Sequence, residues 1–226
     1  MRCDFHVHTR YSFDSNALPK DVVEKAIKEK IDCIAITDHG EIKGALEAIE
    51  YAKGKSILII TGIEVKSKEG DILGLNIKEK IPNGLSAKET IKKIKEQGGF
   101  VVIPHPFGLF SNFKGDLKEI LKEIDAIEIL NRLVLGRGNK IAQKFIKENN
   151  FPFTVGSDSH FSDLIGKCYL EIPGENLSIE EIFKKIKNKE GRVVGKEANF
   201  FEKIIDRLRR GLVKIKNYVR RKKRKV

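Results

Sequence analysis

The chain has 226 residues, 40% of them hydrophobic, and 44 Lys and Arg stand against 32 Asp and Glu for a formal net charge of +12. That length suits one α/β barrel, or one medium domain with a tail, and can bury a sizeable core. No run of about 18 uncharged apolar residues occurs, which leaves no candidate for a membrane span. Met1–Phe5 lead straight into a polar motif without the apolar stretch of a secretion leader. Cys3, Cys33 and Cys168 are isolated in apolar surroundings with no Cys-x-x-Cys pair; they read as small core residues, and the expected compartment is a reducing cytoplasm.

Short β-branched runs alternate with helical patterns, the signature of βα units feeding a parallel sheet. Strands are predicted near 2–7, 32–37, 57–63, 72–77, 100–104, 125–130, 153–157, 168–172 and 192–195. Helices are predicted over 19–30, 41–53, 87–97, 138–149 and 179–189. Pro19 suits a first helical turn, where its missing N–H is not needed, and Ser86 with Glu89 forms a capping box ahead of a stop at Gly98-Gly99. So many βα repeats in so short a chain pack most economically as a closed or nearly closed barrel of seven or eight strands, ahead of an open doubly wound sheet.

The charge is unevenly placed. Lys196–Val226 hold thirteen Lys or Arg against three acids, so residues 1–195 are nearly balanced. Phe201, Ile204, Ile205, Leu208, Leu212, Ile215 and Val219 recur at three- and four-residue spacings, predicting a helix over 199–219 with one apolar stripe and a basic opposite face, which then runs into Arg220–Lys225. Docking of the stripe on the barrel is the first expectation. RNA, DNA or an anionic membrane surface are the alternative partners of the basic segment. The division expected is a barrel over 1–195 and a basic amphipathic helix with tail over 196–226.

All five histidines fall at or just beyond the carboxyl end of a predicted strand. His6 and His8 are two apart on the first, so their imidazoles share a face. His39 follows the second within Thr37-Asp38-His39-Gly40, Glu64 closes the third, His105 follows Val101–Pro104, and Asp158 and His160 follow Phe153–Gly156. In a parallel barrel those ends converge on one rim. Imidazoles and carboxylates together are ligands for Zn²⁺, Mn²⁺ or Fe²⁺, and a carboxylate such as Glu64 can bridge two ions.

His6-Val7-His8-Thr9 with Tyr11, Ser12 and Asp14 behind it, Thr37-Asp38-His39, Gly62-Ile63-Glu64, Pro104-His105-Pro106 and Gly156-Ser157-Asp158-Ser159-His160 resemble the polymerase and histidinol phosphatase (PHP) superfamily over residues 1–195, with the five motifs in order. The resemblance implies a distorted (β/α)₇ TIM-like barrel and a site of two or three divalent ions that hydrolyses phosphate esters. By motif, His6, His8, Glu64 and Asp158 hold one ion, Glu64 bridges to a second bound by His105, and Asp14, His39 and His160 serve a further position. Histidinol-phosphatase-like members carry histidine at the positions of Asp14 and Asn131. The pattern is therefore closer to the small nucleotide phosphatase and exonuclease branch, with Asn131 a polar neighbour of the ligands.

The expected activity is hydrolysis of a nucleotide or other small phosphomonoester by a metal-activated hydroxide. A 5′-to-3′ exonuclease on RNA or DNA is the alternative, and a histidinol phosphatase or a non-catalytic ribonucleoprotein subunit ranks lower. Catalytic roles fall to Glu64 and to His39 or His160, either of which can protonate the leaving group. Arg132 and Arg137, just past a strand end, are candidates to grip phosphate. Asp38 is a candidate to orient a ligand imidazole. The loop Phe107–Phe113 offers apolar groups that can stack a base, cover the site or pack.

Overall fold

The computed structural model describes residues 1–223; Arg224 and Lys225 of the basic terminal run lie outside the described residues. Nine strands form one sheet: β1 (Arg2–Val7), β2 (Cys33–Ile36), β3 (Leu58–Lys66), β4 (Asp71–Leu75), β5 (Phe100–Ile103), β6 (Ala126–Asn131), β7 (Phe153–Gly156), β8 (Cys168–Glu171) and β9 (Arg192–Gly195). Each lies where the sequence predicts a strand. Around them run α1 (Pro19–Lys28), α2 (Lys43–Ala52), α3 (Ala87–Glu96), the single turn α4 (Leu117–Ile120), α5 (Gly138–Asn149), α6 (Ile179–Lys187) and α7 (Phe200–Lys223). The local signals act as read: Pro19 opens α1, Ser86 and Glu89 exchange both hydrogen bonds of a capping box, and Gly98, at φ 74°, ends α3.

The sheet order is β7-β6-β5-β4-β3-β2-β1-β8-β9, and it departs from the parallel expectation at β4 and at β8 and β9. β4 runs antiparallel to both β3 and β5. The physical reason is the connection: only residues 67–70 separate β3 from β4, too few for the crossover that a parallel neighbour requires, and Ser67 N–H donates to the Gly70 carbonyl across the turn. β8 and β9 are likewise antiparallel additions beside β1.

Closure comes from the chain just past β7. Asp158 N–H donates to the His6 carbonyl (2.8 Å) and His8 N–H donates to the Ser159 carbonyl (2.8 Å), so the segment after β7 lies parallel to β1 and makes β1–β7 a nearly closed, distorted TIM-like barrel. Buried Asp4 fastens the same seam by accepting from Ser157 N–H (2.9 Å), and burial pushes its carboxyl up to about 7.

Strand alternation assigns the faces. Phe5, Cys33, Ala35, Ile60, Leu75, Val102, Ala126 and Val155 fill the interior together with Cys3 and Cys168, so the three cysteines are free, buried packing residues. Ile63, Ile72, Val101 and Ile127 face outward against α3–α5, and Ile34 and Ile36 against α1 and α2. Burying each such aliphatic side chain contributes roughly 1.5–3 kcal/mol. The interior ends where polar residues take over the inward positions: Glu64 is in step with Ile60 on β3, and Glu128 with Ala126 and Leu130 on β6.

The last helix reverses one expectation. Its apolar stripe does not dock on the barrel: Phe201 is 74% exposed, Leu208 65%, and Leu212 69%. Its polar face docks instead. Lys203 and Asp206 are buried, Arg209 forms two hydrogen bonds to Asp163, and Asn217 donates to the Phe13 carbonyl (3.1 Å). The barrel end that α7 covers is lined with carboxylates, which attract its cationic face. No helix among the described residues is long and apolar enough to cross a membrane.

Candidate metal centre

The rim beneath α7 gathers all five histidines. Ring centroids lie 4.1 Å apart for His8 and His160, 4.6 Å for His8 and His39, 5.1 Å for His6 and His8, and 5.6 Å for His6 and His105. Glu64 sits at the middle. Its Oε2 is 2.9 Å from His39 Nδ1, 3.4 Å from His8 Nε2 and 3.6 Å from His6 Nε2, while Oε1 is 3.2 Å from His105 Nε2. Asp158 Oδ1 lies 3.3 Å from His8 Nε2, and Asp14 Oδ1 is 3.4 Å from His39 Nε2 and 3.3 Å from His160 Nε2. His105 (φ 33°) and Asp158 (φ 52°) hold positive φ without being glycine, local strain of the kind found where backbone is bent to aim a functional side chain.

The outward nitrogens of these rings have fixed partners. His6 Nδ1–H donates to Glu128 (3.2 Å), His105 Nδ1–H to the Ser111 carbonyl (2.9 Å), and His8 Nδ1–H to Ser12 Oγ (3.0 Å). Ser12 in turn donates to Asp38 Oδ1 (2.8 Å). Each ring is thereby oriented with Nε2 as the nitrogen turned toward the common centre, the usual arrangement behind metal-binding imidazoles. His6 Nε2 and His8 Nε2 are only 3.1 Å apart.

Electrostatics follow the same plan. Burial, and then the neighbouring His160, lower His8 to about 3, so it stays neutral. Burial also works against charge on His39 and His105, but Glu64 outweighs it for both, with Asp14 helping for His39, and raises them to about 10 and about 9. Desolvation opposes ionisation of Glu64 and Asp158; His39 and His6 overcome it at Glu64, and His6 and His8 at Asp158, leaving both well below the usual carboxylate range. Glu64 Oε2 and Asp14 Oδ1 are buried without a hydrogen bond. Three groups each bring their ligand atoms within 4.8 Å of one another: His8, His39 and His160; His6, His8 and Asp158; and His6, Glu64 and His105. This donor set and these unsatisfied oxygens fit divalent metal ions.

The sequence-predicted residues therefore converge, with these exceptions. Arg132 is buried but turned to the start of α7, donating to the Lys196 carbonyl and to Glu202, and Arg137 lies with Lys140 and Lys144 on a separate surface. Neither borders the cleft, because Glu202 and the Lys196 carbonyl, distant in sequence, capture the Arg132 guanidinium. Asp38 acts on His8 through Ser12 rather than on the adjacent His39. Asn131 donates to Glu128 and Asp158, steadying both.

Glu128 itself was missed. It accepts from His6, from the His105 N–H (2.8 Å) and from Asn131. Its signal was available: it is the sole charged residue of β6, on the inward phase with Ala126 and Leu130. Also unforeseen were Arg210 and Lys214 of α7. Arg210 Nη1 lies 3.2 Å from His160 Nε2, and Lys214 Nζ 3.7 Å from Asp14. Desolvation opposes the Arg210 charge, yet Asp158, Asp14, Asp206 and Glu64 hold its pKa above the ordinary value. With Phe13, Leu109 and Phe110 these cations enclose a cleft of about 190 Å³ over His39, Glu64 and His105.

The close fit of β1 against β7 gives a local test. A Cβ at Gly156 would overlap the Glu128 carboxylate and His6 Cβ. Gly156→Ala is therefore expected to cost about 1–3 kcal/mol and to weaken metal retention, read from thermal melts and bound metal; a variant with unchanged melting and metal content would show that the seam yields freely.

Residues 4–191 match the PHP domain family, and the chain belongs to it. It is 39% identical over 160 residues to an uncharacterised protein of Methanocaldococcus jannaschii, covering 66% of this chain and 93% of that one. It is 32% identical over 98 residues to a 5′-3′ exoribonuclease of Haemophilus influenzae, covering 42% of this chain and 35% of that one. In structure it resembles a two-domain protein of Bacteroides vulgatus containing a predicted PHP-like metal-dependent phosphoesterase, with TM-score 0.75 at 18% identity. That match covers 87% of this chain and 65% of the longer protein, and shares the barrel fold.

Proposed function

We propose that this protein is a metal-dependent phosphoesterase that hydrolyses a small phosphomonoester, such as a nucleotide, using two or three divalent ions of Zn²⁺, Mn²⁺ or Fe²⁺. The observation that carries this reading is the joining of two features: a His and carboxylate cluster of ligand character, and a 190 Å³ cleft above it walled by Arg210 and Lys214. His6, His8, Asp14, His39, Glu64, His105, Asp158 and His160 would hold the ions, with Glu64, in reach of four imidazoles, shared between positions. Bound ions of this kind supply Lewis acidity toward phosphoryl oxygens and lower the pKa of a bound water toward neutrality.

The chain's own residues supply the rest. Arg210 and Lys214 offset charge on the phosphoryl oxygens, in the role first expected of Arg132 and Arg137. His39 borders the cleft whereas His160 does not, so where the ions are held without it, His39 is the imidazole placed to protonate the leaving oxygen. Phe13, Leu109 and Phe110 limit water and lie where a base or other apolar leaving group would sit. Because α7 crosses the mouth, the cleft suits a small ester better than a threaded polynucleotide. The partial likeness to an exoribonuclease keeps the second reading in view.

The test is product chromatography with Mn²⁺-loaded protein on nucleoside 5′-monophosphates and on a 5′-phosphorylated RNA oligonucleotide, with His105→Ala as control. Inorganic phosphate from the mononucleotide, lost in the variant, is the expected result; stepwise release of nucleotides from the RNA would transfer the site to the nuclease reading.

A further inference from the structure

The helix that covers the cleft turns outward an apolar arc that the proposed chemistry does not use, although Lys214 at its margin and the neighbouring Phe13, Leu109 and Phe110 also border the cleft. Over 200–223 the chain holds ten Lys or Arg and two acids. At 100° per residue its exposed apolar residues occupy about 140° of the circumference. Phe201, Ile205, Leu208, Leu212, Ile215 and Val219 lie within this arc, each between 45% and 74% exposed. Cations flank the arc on both sides: Arg209 and Lys216 along one margin, Arg207 and Lys214 along the other. Two loop tips continue it, for Phe110 lies under the Arg207 guanidinium (4.4 Å) and Phe13 under Lys214 Nζ (5.0 Å), with Leu109 and Phe110 themselves 65% and 69% exposed.

We propose that this face docks the protein on an anionic phospholipid surface, with α7 lying in the interfacial plane. A helix of 24 residues extends about 36 Å, and a broad apolar arc with cationic margins meets both parts of such a surface, acyl boundary and headgroup charge. The alternatives match only one part each. A nucleic-acid backbone would meet the margins, but over 200–219 the centre of the outward face carries no cation to receive it. A second copy would bury the apolar arc yet bring two strongly cationic helices together, and the arc is wider than the narrow seam of a helix pair. Docked this way, α7 is held between the lipid surface and the cleft, so the catalytic rim faces the membrane side of the molecule.

The test is co-sedimentation of the full chain with phosphatidylcholine vesicles, with and without phosphatidylglycerol. The variants are Leu208→Glu with Leu212→Glu, both on the exposed arc, and His105→Ala, which disables the cleft without touching this face. Binding to the anionic vesicles, at least about tenfold weaker binding to the neutral ones, and a loss of roughly a hundredfold in the double variant at unchanged melting temperature are expected, since each buried leucine is worth about tenfold or more. His105→Ala should bind as the parent does, which separates this inference from the catalytic reading. No binding to anionic vesicles, or binding undiminished in the double variant, overturns the proposal. A dimer in sedimentation velocity that the double variant converts to monomer would assign the face to a second copy instead.

Discussion

Glu64→Gln is expected to abolish phosphate-ester hydrolysis while leaving the barrel folded. The exchange conserves volume on β3, where the neighbours Ile63 and Val65 pack outward and are untouched. What it removes is the charge that reaches His6, His8, His39 and His105 at 2.9 to 3.6 Å. A shared carboxylate that loses its charge costs several kcal/mol of charge stabilisation, on the order of 10³-fold in rate. The expected pattern is a fall in kcat and in bound metal together. Retention of full activity with the metal lost would overturn the role given to Glu64, as would full metal occupancy with unchanged kinetics. In metal-free protein the same substitution also removes the partner that raises His39 and His105, so their titrations should move down toward the ordinary histidine value, a change visible by NMR without any substrate.

How much of this could be read beforehand depends on the range of the interaction. Strand positions and helix starts were legible because they rest on local signals: the β-branched runs, Pro19, and the Ser86 and Glu89 box. The convergence of the histidines and carboxylates was legible because barrel topology brings strand ends together, so residues at the ends of β1, β2, β3, β5 and β7 meet whatever the details. Glu128 lies inside β6 rather than at its end, so the strand-end pattern does not mark it, although an acid at an inward phase among apolar neighbours cannot be left unpaired. Strand direction at β4 was misjudged because periodicity reports burial and says nothing of direction; the four-residue connection held the answer. The fate of α7 and of Arg132 was the least legible. An apolar stripe identifies an amphipathic helix but not which face meets the body, and that was decided by Asp14, Asp158 and Glu64 acting on Arg210 and Lys214 from more than forty residues away in sequence.

The second large effect expected is on stability and proton uptake when the cluster takes up metal. At a free-ion concentration about 100 times the dissociation constant, binding to the folded state alone adds about 2.7 kcal/mol, which for a chain of this size raises the melting temperature by about 5–10 °C; chelation reverses it. The pH dependence has a definite sign. In the metal-free protein His39 and His105 are raised to about 10 and about 9, so both carry protons at neutral pH. Their contribution to metal-free stability is complete below the unfolded histidine value of about 6.5 and is lost as pH rises through about 9 to 10. An ion can engage these imidazoles only by displacing those protons. Loading at pH 7 should therefore release protons, and affinity should climb steadily between about pH 6 and pH 9. Calorimetric titration of Mn²⁺ in two buffers of different protonation enthalpy reads the release directly. His105→Ala should lower the number of protons released, because it deletes one protonated site and leaves His39 and His6, which is also raised well above the ordinary value. A binding heat independent of buffer, or an affinity flat across that pH range, would mean that neither His39 nor His105 is a ligand, nor His6, where burial opposes charge but Asp158, Glu128 and Glu64 likewise hold the pKa well above the ordinary histidine value.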